Sequence, residues 1–406
     1  MTSAPLQDPA HATAERLRQL DSLRGLAALT VLTAHALSVY PLLSEARLDG
    51  ALGVLQTLVT RTPLGIFVSG GAAVRLFFVL SGFVLALPFL VGHRGTWSGF
   101  AVRRSVRLWP TFVAALALAV TLRLLTPPVD LSGAGEPLQP NWAPALTPWA
   151  VLEHVPMVTA FPYYVVDSPM WSLAHEMRIS LLFPLLMWLV LRAGDAVALG
   201  STLGLGVLAV TFSGVLGDDF VSAGLTLQFL FLFALGAVLA RRRARLGAWY
   251  RSLPPVLRLL GWGLAGAAYV APNLPVPAVV KQAPLDNWVI GLGAAWFIVG
   301  VLNEPWCGRL LERRPLTWLG DVSFCVYLVH LPILLAFLGW GQGRVAVPVL
   351  ILAAGGSALL FAAALHRFVE VPSMSWARSA GRAVDRRVLG RRSSQVARES
   401  WRGRRG

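Results

Sequence analysis

Apolar residues along this chain come in runs too long for the core of a soluble domain. A span of about 20 mostly apolar residues crosses a hydrocarbon layer as a helix. On that rule ten runs stand out, at about 22–40, 74–91, 106–125, 177–193, 196–215, 222–240, 255–272, 286–302, 318–340 and 345–366. Glycine and proline interrupt the fourth to seventh, so their ends are the loosest. The pattern predicts an all-α integral membrane protein of about ten transmembrane helices around a central cavity. A cytoplasmic segment (1–17) precedes the multipass domain (18–372), and an Arg-rich cytoplasmic tail (373–406) follows it.

Composition agrees with lipid as the main solvent. Hydrophobic residues make up 56% of the chain and charged ones 14%, against about 25% charged in ordinary soluble domains. That excludes a large soluble enzyme. The formal net charge of +15 raises the question of nucleic acid, but the arginines lie between apolar runs instead of along one amphipathic face, so no nucleic-acid partner is expected. They read instead as topology signals. With the N terminus inside, 28 of the 35 Lys and Arg fall on the cytoplasmic side, which places both termini in the cytoplasm of a cell (inner or plasma) membrane. Ala34-His35-Ala36 resembles a signal-peptide cleavage site, yet Asp8, Glu15 and Asp21 precede it and many spans follow, so cleavage is not expected. Cys307 and Cys325 form neither a disulfide framework nor a zinc spacing, and no metal is expected.

One connection departs from the rest. Residues 124–177 lack Lys and Arg but hold nine prolines together with Trp142, Trp149 and Trp171. A segment this long suggests an outward cap (about 126–176), with a disordered linker as the alternative. The tail beyond Glu370 has no apolar periodicity and is expected to be flexible near anionic lipid.

Ionisable residues inside the spans carry the functional question, because each costs several kcal/mol in lipid. Arg24 and His35 are eleven residues apart in the first span and share a helix face, about 16 Å apart along the axis. His175, Glu176 and Arg178 crowd one turn at the start of the fourth span, where a histidine and a carboxylate are suited to acid and base work. An ion pair of Glu176 with Arg75 or Arg178 is the structural alternative. Arg103, Arg104 and Arg107 precede the third span, and Arg103 and Arg107 are four apart, a spacing suited to gripping phosphate. Positive-inside anchoring explains the same cluster. Ser81-Gly82 fits close helix packing. His330 sits in the outer half of the ninth span, at a depth like that of His35, and a lone histidine there can equally serve as an interhelical hydrogen bonder.

Taken together, RLDSLRGLAALTVLTAHAL, LFFVLSGF, VRRSVRLWP, WSLAHE with LLFPLL, and LGDVSFCVYLVHLPI resemble the bacterial acyltransferase family 3, from about residue 18 to 372. The resemblance implies transfer of an acyl group, usually acetyl from acetyl-CoA as co-substrate, to a hydroxyl of a surface saccharide or secreted small molecule. It matches Arg24 and His35 to the family's basic residue and histidine, and Arg103, Arg104 and Arg107 to its arginine cluster. Trp171, Ser172, Leu173 and Glu176 match its Trp-Ser-Leu-x-x-Glu, His330 its final histidine, and Glu370 with Pro372 its closing Glu-x-Pro. On this basis His35 is the expected general base, with Glu176 and His175 orienting it or the acceptor. His330 or Arg75 would steady the oxyanion, and Arg24, Arg103, Arg104 and Arg107 would bind the donor. Two departures lie on the acceptor side: Arg75 where an acidic residue is common, and His175-Glu176 in place of the usual pairing. A transporter or flippase without covalent chemistry is the competing class, though no internal repeat supports it.

Overall fold

The computed structural model describes residues 9–43, 47–92, 95–216, 218–273 and 285–402, with side chains placed for 18–212, 221–273 and 285–390 of these. Arg94, Lys281, Arg404 and Arg405 of the charge pattern lie outside the described residues. Helix accounts for 83% of the structure, and no strand occurs among the described residues. Fifteen α-helices follow in chain order: α1 Pro9–Leu37, α2 Gly50–Arg61, α3 Gly70–Leu90, α4 Trp97–Leu125, α5 Pro148–His154, α6 Tyr163–Val166, α7 Met170–Arg192 and α8 Asp195–Leu216. Then come α9 Asp218–Ser252, α10 Pro255–Val270, α11 Leu285–Asn303, α12 Pro305–Leu311, α13 Arg314–Gly341, α14 Val347–Leu365 and α15 Val371–Arg402.

Each of the ten apolar runs falls on a helix, but among the described residues eight helices are long and apolar enough to span a membrane by length and composition. The two that fall short are α1 and α10. α1 carries Asp21 at the edge of its apolar run and Arg24 and His35 within it, which lowers its hydropathy, and α10 has only 16 residues.

Glycine sets the closest helix contacts. α1 and α13 run parallel and meet where a Cβ on Gly25 would sit 2.6 Å from the Gly320 backbone nitrogen, and one on Gly320 2.6 Å from the Asp21 backbone. Only residues without side chains allow backbones this near. Gly82 meets the backbone of Phe233 in the same way, so it packs α3 against α9 as its sequence context suggested.

The expected flexible tail is different in the structure. α14 passes through a π-helical turn, His366–Glu370, straight into α15, which lies antiparallel along the first half of α4. Asp385 accepts from the Thr96 backbone N–H (2.7 Å) and hydroxyl (2.6 Å) and pairs with Arg103 (2.5 Å), while the Ser373 hydroxyl donates to the Arg107 carbonyl (3.0 Å). One acidic residue on an otherwise arginine-rich helix therefore docks it, a tertiary contact that apolar periodicity does not register.

The long connection is packed and ordered. The guanidinium of Arg123, at the end of α4, donates to the carbonyls of Val165, Trp142 and Pro144. The Trp142 indole N–H reaches the Val166 carbonyl (2.9 Å), and the Gly135 N–H reaches the carbonyl of Ser38, just past α1 (2.7 Å). One end of the bundle thus carries the loop, and the other carries most of the arginines.

Candidate active site

Matched register in two helices creates the central pair. From the Gly25–Gly320 crossing, His35 and His330 are each ten residues on, about 15 Å up parallel helices, so they arrive at one level. His330 Nε2 lies 3.2 Å from His35 Nδ1, and the rings are 5.1 Å apart between centroids. His35 Nδ1 is also 3.1 Å from the Val31 carbonyl, and His330 Nδ1 is 3.0 Å from the Val326 carbonyl. A carbonyl only accepts, so the neutral His330 donates through Nδ1 and leaves Nε2 as an acceptor. His35 must then carry its proton on Nδ1, shared between Val31 and His330. Its Nε2 is left with a free lone pair.

Below the pair lies a cavity of about 270 Å³, bounded by α1, α3, α4, α7, α13 and the π-helical turn. Arg24, Arg104, Arg107, Ser81, Ser172, Glu176, Asp21, Asp321, Tyr327, His366 and Glu370 line it. Its upper limit is Tyr327, one turn before His330 and 6.1 Å from it between ring centroids. The Tyr327 hydroxyl meets Ser172 (2.7 Å) and donates to the Pro169 carbonyl (3.0 Å), a latch between α13 and the start of α7.

The arginine cluster divides. Arg104 is buried, pairs with Glu176 and donates to Ser180 (3.1 Å); Ser81 donates to the same carboxylate (3.2 Å). Arg24 pairs with Asp21 (3.2 Å), and Arg107 opens onto the cavity with no ion-pair partner among the described residues. Arg103, held by Asp385, is outside the cavity lining. The i,i+4 spacing therefore does not bring Arg103 and Arg107 together on a ligand; Arg104 and Arg107, three apart, share the cavity instead.

His175 and Glu176 also part company. Neighbours on a helix differ by about 100° in direction, and while Glu176 faces the cavity, His175 turns to Thr226 (2.8 Å) and packs edge-on to Trp171 and Phe229. Neither residue touches His35. Nor does Glu176 pair with Arg75 or Arg178: Arg75 donates to Asn287 (2.8 Å), and Arg178 to Val158, Ser222 and Thr226.

Tyr327, Asp167 and the proximity of Cys325 to His366 and Glu370 were not read from the sequence. Tyr327 was hidden in an apolar run. Asp167, in the loop just before α7, is fully buried, neither carboxylate oxygen has a hydrogen-bond partner among the described residues, and burial pushes its pKa well above the usual carboxylate range. Cys325, His366 and Glu370 bring Sγ, Nδ1 and a carboxylate oxygen within 4.8 Å of one another, a donor set able to hold a divalent ion. Here the thiol (3.2 Å) and the imidazole (2.8 Å) both bond to Glu370. Cys307, outside the long helices, has its thiol pushed up to about 12 by burial and Glu304, which leaves it inert as a nucleophile near neutral pH.

The family model described as an acyltransferase domain, Acyl_transf_3, matches residues 17–367, the stretch that holds both histidines and every cavity-lining residue named above except Glu370. The chain belongs to this acyltransferase family. It is a multipass membrane acyltransferase, as its motifs suggested. Acyltransferase MdmB of Streptomyces mycarofaciens is 25% identical over 411 residues, which cover 93% of each chain. No solved structure matches the acyltransferase.

Proposed function

We propose that the acyltransferase moves an acetyl group from cytoplasmic acetyl-CoA to a hydroxyl of a cell-surface saccharide or secreted small molecule, in the inner or plasma membrane. The observation that carries this reading is the His35–His330 pair, one turn above an arginine-lined cavity. The cavity suits an anionic carrier with a slender arm. Arg24 and Arg107 would meet its phosphates through charge-assisted bonds. Arg104, already committed to Glu176, would hold the wall and add positive potential. Arg103 would join only when Asp385 releases it. The thioester would then pass Tyr327 to reach the histidines.

In the chemical step, His35 Nε2 takes the proton of the acceptor hydroxyl as its oxygen attacks the thioester carbonyl carbon. The new C–O bond forms, the C–S bond breaks, and the proton is delivered from His35 to the departing thiolate. His330 acts as a positioning residue: it fixes His35 in the tautomer with Nε2 free and shares the positive charge that develops. Glu176 acts on Arg104, and His175 anchors α7 to α9.

The test uses purified protein, radiolabelled acetyl-CoA and cell-envelope extract. CoA release with label in a saccharide or small metabolite supports the reading; thioester-independent movement of solute overturns it. His35→Ala is expected to keep acetyl-CoA binding and lose about 10²- to 10⁴-fold in turnover.

A further inference from the structure

Arginine alone does not make the donor cavity positive. Besides Arg24, Arg104 and Arg107, its lining holds four carboxylates, Asp21, Glu176, Asp321 and Glu370. Fully ionised, the lining carries one negative charge in excess, so it lacks the positive field that a carrier with several phosphates calls for. Arg104 and Arg24 are, moreover, already paired with Glu176 and Asp21. A bound cation would offset that excess, and the cavity wall holds the donor atoms for one.

Those atoms are Cys325 Sγ, His366 Nδ1 and Glu370 Oε2. The thiol (3.2 Å) and the imidazole (2.8 Å) converge on one carboxylate oxygen, and all three atoms lie within 4.8 Å of one another. Bonds of about 2.0–2.3 Å to a tetrahedral ion place its ligands roughly 3.3–3.8 Å apart, so an ion enters with shifts of about 1 Å or less. His366 and Glu370 are four apart on the π-helical turn, a form frequent at functional sites, and they bring their donors up to Cys325 on α13. Asp321, one turn before Cys325, sets a second carboxylate near enough to His366 for their charges to interact. Cys325 and Glu370 are buried, while the His366 side chain is 20% exposed and lines the cavity, which gives an ion a way in. The donor set decides the ion. Magnesium and calcium take oxygen ligands, whereas a thiolate, an imidazole and a carboxylate together suit zinc. No spacing motif announces the set, because Cys325 and Glu370 are 45 residues apart in the chain.

We infer that Cys325, His366 and Glu370 bind one zinc ion in the wall of the donor cavity, and that its fourth position takes a phosphate oxygen of the acyl carrier. Binding breaks the Cys325 S–H bond and forms a Zn–S bond; the proton leaves to water, and nothing is oxidised or reduced. The dication less that proton brings the lining to neutrality. Zinc also engages Glu370, the carboxylate whose charge acts on Arg107, and so leaves that guanidinium to the phosphates. The phosphate contact rests on the acyl-transfer reading above; the ion site does not.

The full-length protein in detergent, free of any affinity tag, is stripped with a chelator and titrated with Co²⁺ alone. One equivalent should bind with a thiolate-to-cobalt charge-transfer band, and Zn²⁺ should displace it. The band should vanish in Cys325→Ser, whose hydroxyl can still bond Glu370, and persist in Cys307→Ser, which removes the other cysteine. His366→Ala, at the partly exposed ligand, should weaken Co²⁺ binding by about tenfold or more. Stripping the wild type should weaken acetyl-CoA binding about tenfold and leave Cys325→Ser unaffected. Binding below about a tenth of an equivalent, or a band that survives Cys325→Ser, would overturn the site even where acetyl transfer occurs, and the thiol and imidazole would then only latch α13 to the π-helical turn through Glu370. Cobalt bound as expected with acetyl-CoA affinity unmoved would uphold the ion and overturn the phosphate contact. Cobalt bound to a protein that takes up no acetyl-CoA in either form would uphold the ion and overturn the acyl-transfer reading.

Discussion

At the scale of single residues, the chemistry turns on which partner each ionisable group finds. His35 and His330 were visible in the sequence as isolated histidines in apolar runs, but their pairing depends on two helices 295 residues apart in the chain meeting in register. If His330 sets the tautomer of His35, His330→Ala should lower turnover by about 10²-fold or more while leaving donor KM in place, and His330→Gln, which keeps an acceptor in reach, should recover part of that loss. Measuring kcat and KM separately checks it, because a general loss of packing would move both. Asp167 makes a different point. Its pKa is raised in the folded protein by burial, so its contribution favours the fold below the unfolded carboxylate pKa and is lost as pH rises through the folded value. Asp167→Asn should therefore raise the melting temperature at pH 8 by about 2 °C or more, and the gain should shrink toward pH 4. A melting difference independent of pH would show that the Asp167 carboxylate is solvated or paired. Nothing in the sequence around Asp167 distinguishes it from an ordinary loop aspartate, since burial there is made by residues distant in the chain.

At the scale of elements, the ten helical runs were legible because apolar length is a local property, and the crossing that aligns the histidines was not. Gly25 and Gly320 are two among 38 glycines, and only the approach of α1 to α13 separates them from the rest. Gly25→Val should force the helices apart and destabilise the protein by about 1–3 kcal/mol, with a loss of activity beyond what the melting temperature explains, since the histidine pair would open. Gly356→Ala in α14, where nothing lies within 4 Å of the added carbon, serves as the control and should change neither. α15 shows the opposite limit of sequence reading. Arginine-rich composition suggested a flexible tail, yet a single carboxylate, Asp385, holds both the start of α4 and Arg103. Asp385→Ala should expose α15 to limited proteolysis and, by freeing a guanidinium near the cavity, strengthen acetyl-CoA binding severalfold; equal donor affinity in the variant would confine Arg103 to a structural role.

For the whole molecule, the two ends of the bundle differ in charge and construction, and in the proposed function that asymmetry sets which way the reaction would run. The arginine-lined cavity opens among the halves of α1, α4 and α13 away from the long loop, where most of the chain's positive charge gathers. The opposite end carries the loop, which has no Lys or Arg between Thr126 and Met177. Positive flanks stay in the cytoplasm, so on the proposed reading the donor cavity would face the compartment that supplies acetyl-CoA and the loop would face outward, with the histidine pair between them. The protein would then transfer acetyl across much of the membrane's thickness without moving either substrate through it. A reporter enzyme active only outside the cell, inserted near Gln139, should be active, while the same reporter placed after Arg245 should be silent and a cytoplasmic fluorescent reporter there should glow. Both positions reporting one side would break the separation of donor from acceptor, and the reaction would have to take both substrates from a single compartment.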